Sequence, residues 1–124
     1  VHMQFCDRTE EAGYSAAKIA LQEEKQPTAL VCFNDVVALG VQEAVESFQK
    51  AGGGQVAVTG FDNTYISALS RISLTSVEQE KVAIAMRAAE ILSAEETVWR
   101  DAEGKHLLLV PRLVIRDSSN FVQA

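Results

Sequence analysis

Apolar positions change their period several times along the chain, and each change marks an element. Residues 7–22 are rich in Ala, with Gly13, Ala17, Ala20 and Leu21 near helical spacing and Asp7 or Thr9 placed to cap the start. This pattern predicts a first helix. Pro27 cannot continue a helix and biases Gln26 towards extended backbone, so a turn is expected at 23–27. Ala29-Leu30-Val31-Cys32-Phe33 is a continuous apolar run, the pattern of a strand covered on both faces in a parallel sheet. Asn34 and Asp35 end it. Val37, Val41, Ala44, Val45 and Phe48 then repeat at three and four residues, which predicts a second helix to about Lys50.

The run Ala51-Gly52-Gly53-Gly54 stops that helix, because glycine supplies the left-handed backbone that helix ends require. A second buried strand is expected over 56–61, closed by the loop Asp62-Asn63-Thr64. The order helix, strand, helix, strand argues for right-handed crossovers and a parallel α/β sheet. A short helix over 65–69 and a short strand over 72–77 follow. Residues 78–93 read as a helix with Val82, Met86, Ala89 and Leu92 on one stripe. A polar loop at 99–104 leads to an apolar strand over 107–115. Pro111 interrupts that strand and should sit at an edge, a bulge or a break, since it donates no ladder hydrogen bond.

Composition narrows the possible functions. The 124 residues carry 11 Lys and Arg against 17 Asp and Glu, a formal net charge of −6, with 48% hydrophobic and 23% charged residues. That is the balance of one globular domain or part of one. An acidic chain without a basic run lacks the footprint that phosphate neutralisation needs, so nucleic acid is a poor partner for this stretch. No apolar run approaches the ~20 residues of a bilayer span, and Val1-His2-Met3-Gln4 has no signal-peptide character, so no membrane partner is expected. Cys6 and Cys32 are too few for a disulfide framework, and no paired Cys/His spacing suggests a metal. Reduced thiols in a cytoplasmic protein are the expectation.

Ligands of open parallel sheets lie beyond the carboxyl ends of the strands. Two polar clusters fall there independently, Asn34-Asp35 after the first strand and Asp62-Asn63 after the second. An amide offers donor and acceptor, and a carboxylate can accept from adjacent hydroxyls, so the pairing suits a sugar or a nucleoside. The plainer alternative is a helix cap and a turn. Catalysis is poorly supported. Gly-x-Ser-x-Gly is absent, the histidines are His2 near a terminus and His106 at a strand edge, and Asp35 and Asp62 have no evident neighbour to separate their pKa values. The glycine run follows a helix and precedes a strand, the reverse of a dinucleotide loop. Arg8 is the one basic residue close to the expected site, with an ordinary surface role as the alternative. Trp99 reads as core-edge cover or a stacking platform.

Several stretches together resemble one family, the lactose and galactose repressor (LacI/GalR) class of bacterial transcription regulators. The resemblance rests on Pro27-Thr28-Ala29 leading into Phe33-Asn34-Asp35, on Val37-Ala38-Leu39-Gly40, and on Gly60-Phe61-Asp62-Asn63-Thr64. It continues through Leu74-Thr75-Ser76-Val77-Glu78-Gln79 to Leu113-Val114-Ile115-Arg116-Asp117-Ser118. It covers nearly the whole chain.

The resemblance implies an α/β fold, a parallel sheet flanked by helices, like the carboxyl lobe of a type I periplasmic binding protein. Residues 1–77 would form the carboxyl lobe of the effector-binding domain, 78–113 a helix and strand belonging to the other lobe, and 114–124 a C-terminal strand and tail. Operator DNA would be bound only through an N-terminal helix-turn-helix that this stretch does not contain. Asn34 and Asp62 match residues that hydrogen-bond the small-molecule effector. Gln79 matches a polar cleft residue and Val36 a position facing the ligand. Arg8 stands where sugar-binding members often place an aromatic ring, a departure that favours carboxylate or phosphate over a sugar face. Ile72-Ser73 stands where relatives commonly carry prolines. Leu39 and Leu69 match positions of a homodimer interface. No cofactor, metal or catalysis is implied.

Two alternatives are a sugar-binding protein of a transport system and a small α/β enzyme. Because the stripe of the 78–93 helix would pack in the other lobe, the isolated chain is expected to cover it by folding back or by exchanging it with a second copy.

Overall fold

The computed structural model describes residues 1–93 and 107–120. The expected polar loop with Trp99, and His106, lie outside the described residues. Helix α1 spans Glu10–Leu21 and starts at Thr9, whose hydroxyl accepts from the Ala12 backbone N–H at 3.2 Å. Of the two candidate caps, Thr9 is therefore the one used. Helix α2 spans Asp35–Lys50 and is capped by Asn34, whose Oδ1 accepts from Val37 N–H at 2.9 Å. Past its end Gly52 takes φ 94, and Gly53 N–H bonds back to Phe48 O at 3.0 Å. The glycine run is thus a helix stop.

The two helices cross backbone against backbone. A Cβ at Gly13 would strike the Val37 carbonyl, and one at Gly40 would strike that of Glu10. Small residues at the crossing let Ala17, Leu21, Val37, Ala38, Val41, Ala44 and Val45 join Val56, Val58 and Leu74 in one core.

Strands β1 (Ala29–Val31), β2 (Ala57–Phe61), β3 (Thr75–Glu78) and β4 (Arg112–Val114) lie in the order β1-β2-β3-β4. The first three are parallel, with Val31 opposite Thr59 and Phe61 opposite Val77. β4 runs antiparallel to β3, with Leu113 opposite Val77, so the sheet is mixed at this end. The expected strand over 107–115 shrinks to the three residues after Pro111, which sits at the strand's start, where a missing N–H is tolerated.

Two expectations require correction. β1 is not covered on both faces: Leu30 meets the core but Val31 is 85% exposed. α2 packs on the sheet and α1 packs on α2, while on the opposite face Val31 is exposed and Thr75 is buried against the segment that follows β4. The last helix, α3, spans Lys81–Ser93 and none of its residues is buried, so its stripe is not covered by folding back. It starts three residues later than the periodicity predicted. Glu78 is still paired with Arg112 in the sheet, and Glu80 takes φ 57, which breaks a helical run. Among the described residues no helix is long and apolar enough to cross a membrane.

Candidate functional site

Parallel register determines where the two polar loop tips stand. Val31 lies opposite Thr59. Asn34 follows the one, and Asp62 the other, by the same three steps, so both leave the sheet at its carboxyl edge. A direct bond joins their loops, because the Asp35 carboxylate reaches the Thr64 backbone.

Asp35 is the centre of this junction. It is 2% exposed, yet no cation pairs with it among the described residues. Three donors satisfy it instead: Thr64 N–H at 2.6 Å and Thr64 Oγ1 at 2.9 Å on one oxygen, and Ser76 Oγ at 2.5 Å on the other. A buried carboxylate is tolerated when its lone pairs are filled in this way. Gly60 makes room for it, since a Cβ there would collide with the Asp35 carboxylate. Asp35 is therefore spent on structure, and the cap reading belongs to Asn34 beside it.

The Asp62 loop carries backbone strain. Asp62 has φ 97 and Asn63 φ 43, a left-handed pair that non-glycine residues keep only when their surroundings enforce it. The enforcement is visible. Asn63 N–H donates to Ser76 Oγ at 3.0 Å, and its Nδ2 donates to Glu78 Oε2 at 2.9 Å. Its Oδ1 accepts from Arg116 Nη2 at 2.7 Å, while Arg116 Nη1 donates to Leu74 O at 2.6 Å. Lys81 donates to the Asp62 carbonyl and to Glu78 Oε1. Those bonds from Lys81, then from Asn63, hold the Glu78 carboxyl down at about 2. Gln79 Nε2 donates to Asp62 Oδ1 at 2.5 Å, so Gln79 and Asp62 do stand together.

On the side chains of Asn34, Asp62 and Gln79, three atoms have no protein partner among the described residues: Asn34 Nδ2, Asp62 Oδ2 and Gln79 Oε1. Together they offer one donor and two acceptors, suited to the hydroxyls of a small polar molecule. Val36, 42% exposed, lies on the first turn of α2 beside Asn34. Arg8 does not bond to these groups; its guanidinium carbon lies 4.5 Å from the centroid of the Phe33 ring. Leu39 is half-buried on α2 and Leu69 is 39% exposed after the 3-10 turn Tyr65–Ala68. The bond from Gln42 Nε2 to Ile72 O at 2.6 Å ties their elements together.

The sequence reading missed Ser76, Glu78, Lys81 and Arg116 as supports, and Phe33 as a rim residue. Their residue types gave little local signal: Ser76, for one, stands inside a run read only as a short strand. A cavity of about 270 Å³ lined by Gln42, Val45, Ile72, Ser73 and Asp117 opens at the amino ends of β2 and β3, away from Asn34 and Asp62. Burial pushes the Cys32 thiol up to about 12, with Cys6 and Asp35 adding to it. Among the described residues no group of three or more His, Cys, Asp or Glu could hold a metal.

Comparison with known proteins fits this geometry. Residues 2–119 match the family described as the periplasmic binding protein-like domain. The HTH-type transcriptional repressor PurR of Aliivibrio fischeri is 36% identical over 103 residues, which cover 81% of this chain and 29% of the relative. The arabinose metabolism transcriptional repressor of Halalkalibacterium halodurans is 28% identical, covering 82% of this chain and 28% of that protein. Among solved structures, a LacI family regulator from Arthrobacter sp. FB24 in complex with lactose superposes with a TM-score of 0.72 at 25% identity, over 93% of this chain and 43% of that one. A LacI family regulatory protein from Chloroflexus aggregans gives 0.72 at 29% identity, over 92% and 41%. The two relatives are named as repressors and the two structures as LacI-family regulators. The chain spans 28% and 29% of the length of the two repressors just named. With its family match running from residue 2 to residue 119 and its fold shared with these regulators, the chain belongs to the periplasmic binding protein-like domain family, in the form that LacI-family repressors carry.

Proposed function

We propose that this chain is the effector-sensing, dimerising part of a cytoplasmic bacterial transcriptional regulator, without catalysis. The observation that carries the reading is the convergence of Asn34, Asp62 and Gln79 at one edge of the parallel sheet, on backbone held by Asp35, Asn63 and Arg116. A strained, over-determined loop presenting unspent hydrogen-bonding atoms is the pattern of a preorganised binding site. The ligand is a small polar metabolite such as a sugar or nucleoside. Arg8 and Val36 complete the rim.

In this reading residues 1–77 are the carboxyl lobe, 78–113 belong to the second lobe and 114–124 form the closing strand and tail. Arg116 joins that tail to the site through Asn63. Operator DNA would be bound by a separate amino-terminal domain, and effector would alter operator affinity only as far as it binds one lobe arrangement better than the other. Leu39 and Leu69 would contribute to a homodimer interface. The exposed stripe of α3, with Val82, Met86 and Leu92 at 74%, 59% and 82%, would be covered by the second lobe or by exchange with a second copy.

Calorimetric titration of the chain with arabinose and with lactose, each against wild type and Asp62→Ala, tests the reading. Saturable heat with at least one sugar, lost on removal of the carboxylate, is expected. Heat unaffected by the substitution, or turnover of either sugar, would overturn it.

A further inference from the structure

Arg8 and Phe33 form a unit that the hydrogen-bonded site does not use. The guanidinium carbon lies 4.5 Å from the ring centroid, within the range of a cation–π contact. Phe33 is 63% exposed and immediately precedes Asn34. The contact therefore brings the segment leading into α1 to the carboxyl edge of β1, at the rim where Asn34 and Asp62 stand. A guanidinium resting on a ring is held in place while its in-plane N–H donors point outward, the arrangement that takes a carboxylate or a phosphate by two parallel bonds.

The acids nearby leave that role open. Among the described residues no carboxylate lies within ion-pairing distance of Arg8. Asp35 is buried and filled by three donors. Glu78 and Glu80 are occupied by Lys81 and Arg112. Asp7, Glu10 and Glu11 are exposed to solvent. Asp62 is the carboxylate with a spare oxygen at the site, and it suits hydroxyls. One end of the rim thus carries a guanidinium over an apolar plate, with the exposed carboxylates of Asp7, Glu10 and Glu11 close by in sequence, and the other end is built for hydroxyl groups.

Resting on the sensing role argued above, we propose that Arg8, carried on Phe33, makes this site select a polyol bearing an oxyanion, a sugar acid or a sugar phosphate, over a neutral sugar. The oxyanion sits on the Arg8 donors and the hydroxyls on Asp62 and Asn34.

The test is calorimetry on the chain at low salt with three probes, glucuronate, glucose 6-phosphate and glucose. At least one anion should bind about tenfold or more tightly than glucose, the scale of one charge-assisted bidentate contact. Arg8→Gln should bring that anion down to the level of glucose, while Phe33→Leu, which removes the plate, should lose part of the advantage. Whichever anion keeps the larger advantage tells carboxylate from phosphate. Glucose binding as tightly as both anions, or an advantage that survives Arg8→Gln, overturns the proposal and leaves the sensing site standing. Failure of all three probes to bind overturns the proposal, while the sensing reading stands or falls with the arabinose and lactose titration. Because Arg8 and Phe33 are exposed, unchanged thermal melts of the two variants should accompany these shifts.

Discussion

Asp35 and Thr64 are joined twice: one carboxylate oxygen accepts from both the Thr64 backbone N–H, at 2.6 Å, and its hydroxyl, at 2.9 Å. The first residue of α2 thereby holds the loop that follows β2, and the two loop tips become one structure. Ser76 on β3 fills the other oxygen. A single buried side chain thus sets the spacing between Asn34 and Asp62.

Replacing Asp35 should therefore loosen the fold and the site together. Asp35→Ala leaves the Thr64 N–H and two hydroxyls without their acceptor, and a loss of about 2 to 4 kcal/mol is expected. Urea denaturation measures it. An unchanged midpoint would show that water substitutes for the carboxylate and that the clamp contributes nothing.

Gly60 should tolerate no side chain. Its missing Cβ is the space the Asp35 carboxylate occupies, and Leu74 Cδ2 stands 3.0 Å from the same point. Gly60→Ala should cost about 1 to 3 kcal/mol through overpacking. Gly54→Ala, where nothing lies within 4 Å of the added Cβ, serves as the neutral control in the same thermal melt.

Arg116 should resist conservative replacement. Its two terminal nitrogens reach Asn63 Oδ1 and Leu74 O at 2.7 and 2.6 Å, a fork that a lysine ammonium cannot reproduce. Arg116→Lys should lose about 1 to 2 kcal/mol in chemical denaturation, since the Asn63 loop then lacks one of the bonds enforcing its left-handed backbone. Amide hydrogen exchange should show faster opening at Asn63 and Thr64 than in the wild type. Equal exchange in the two proteins would remove Arg116 from the supporting set.

Glu78 makes part of the stability depend on pH. Its carboxyl is held at about 2, against an ordinary 4.5, chiefly by the Lys81 hydrogen bond and next by that of Asn63. A depressed pKa means that folding favours the charged form. The contribution is complete above about pH 4.5 and decays as pH falls towards 2. Urea midpoints recorded between pH 7 and 2.5 should fall more steeply for wild type than for Glu78→Gln within that lower window. Parallel curves would mean that the Lys81 and Asn63 bonds do not discriminate between the two forms of the group.

How far these features were legible from the chain differs by element. α2 announced itself through apolar residues at three- and four-residue spacing and through Asn34, a good cap, and the glycine run marked its end. α3 was placed three residues early because periodicity carries no knowledge of Glu78 pairing with Arg112 in the sheet. β1 was read as doubly covered because an apolar run looks the same whether one face or two are buried. Gln79 and Asp62 were tied to one cleft by family resemblance, and their bond lies in the structure. Ser76, Lys81 and Arg116 gave no comparable signal, since a serine in a strand, a lysine opening a helix and an arginine near the end of the chain are each ordinary surface or strand residues until their partners are known.

Local order is what the amino-acid sequence determined by itself: which stretches are helical or extended, where glycine and proline interrupt them, and that two amide–carboxylate pairs follow two consecutive strands. These depend on residues within a few positions of one another, whose periodicity and capping chemistry are written in the chain. Tertiary structure alone decided that β4 runs antiparallel, that Val31 on β1 stays exposed, and that Asp35 is buried as a clamp while Asn34 caps α2. Those outcomes depend on bonds between residues 29 to 53 positions apart, from Asp35–Thr64 to Asn63–Arg116. Adjacent residues of the same polar character cannot reveal which of them will be buried.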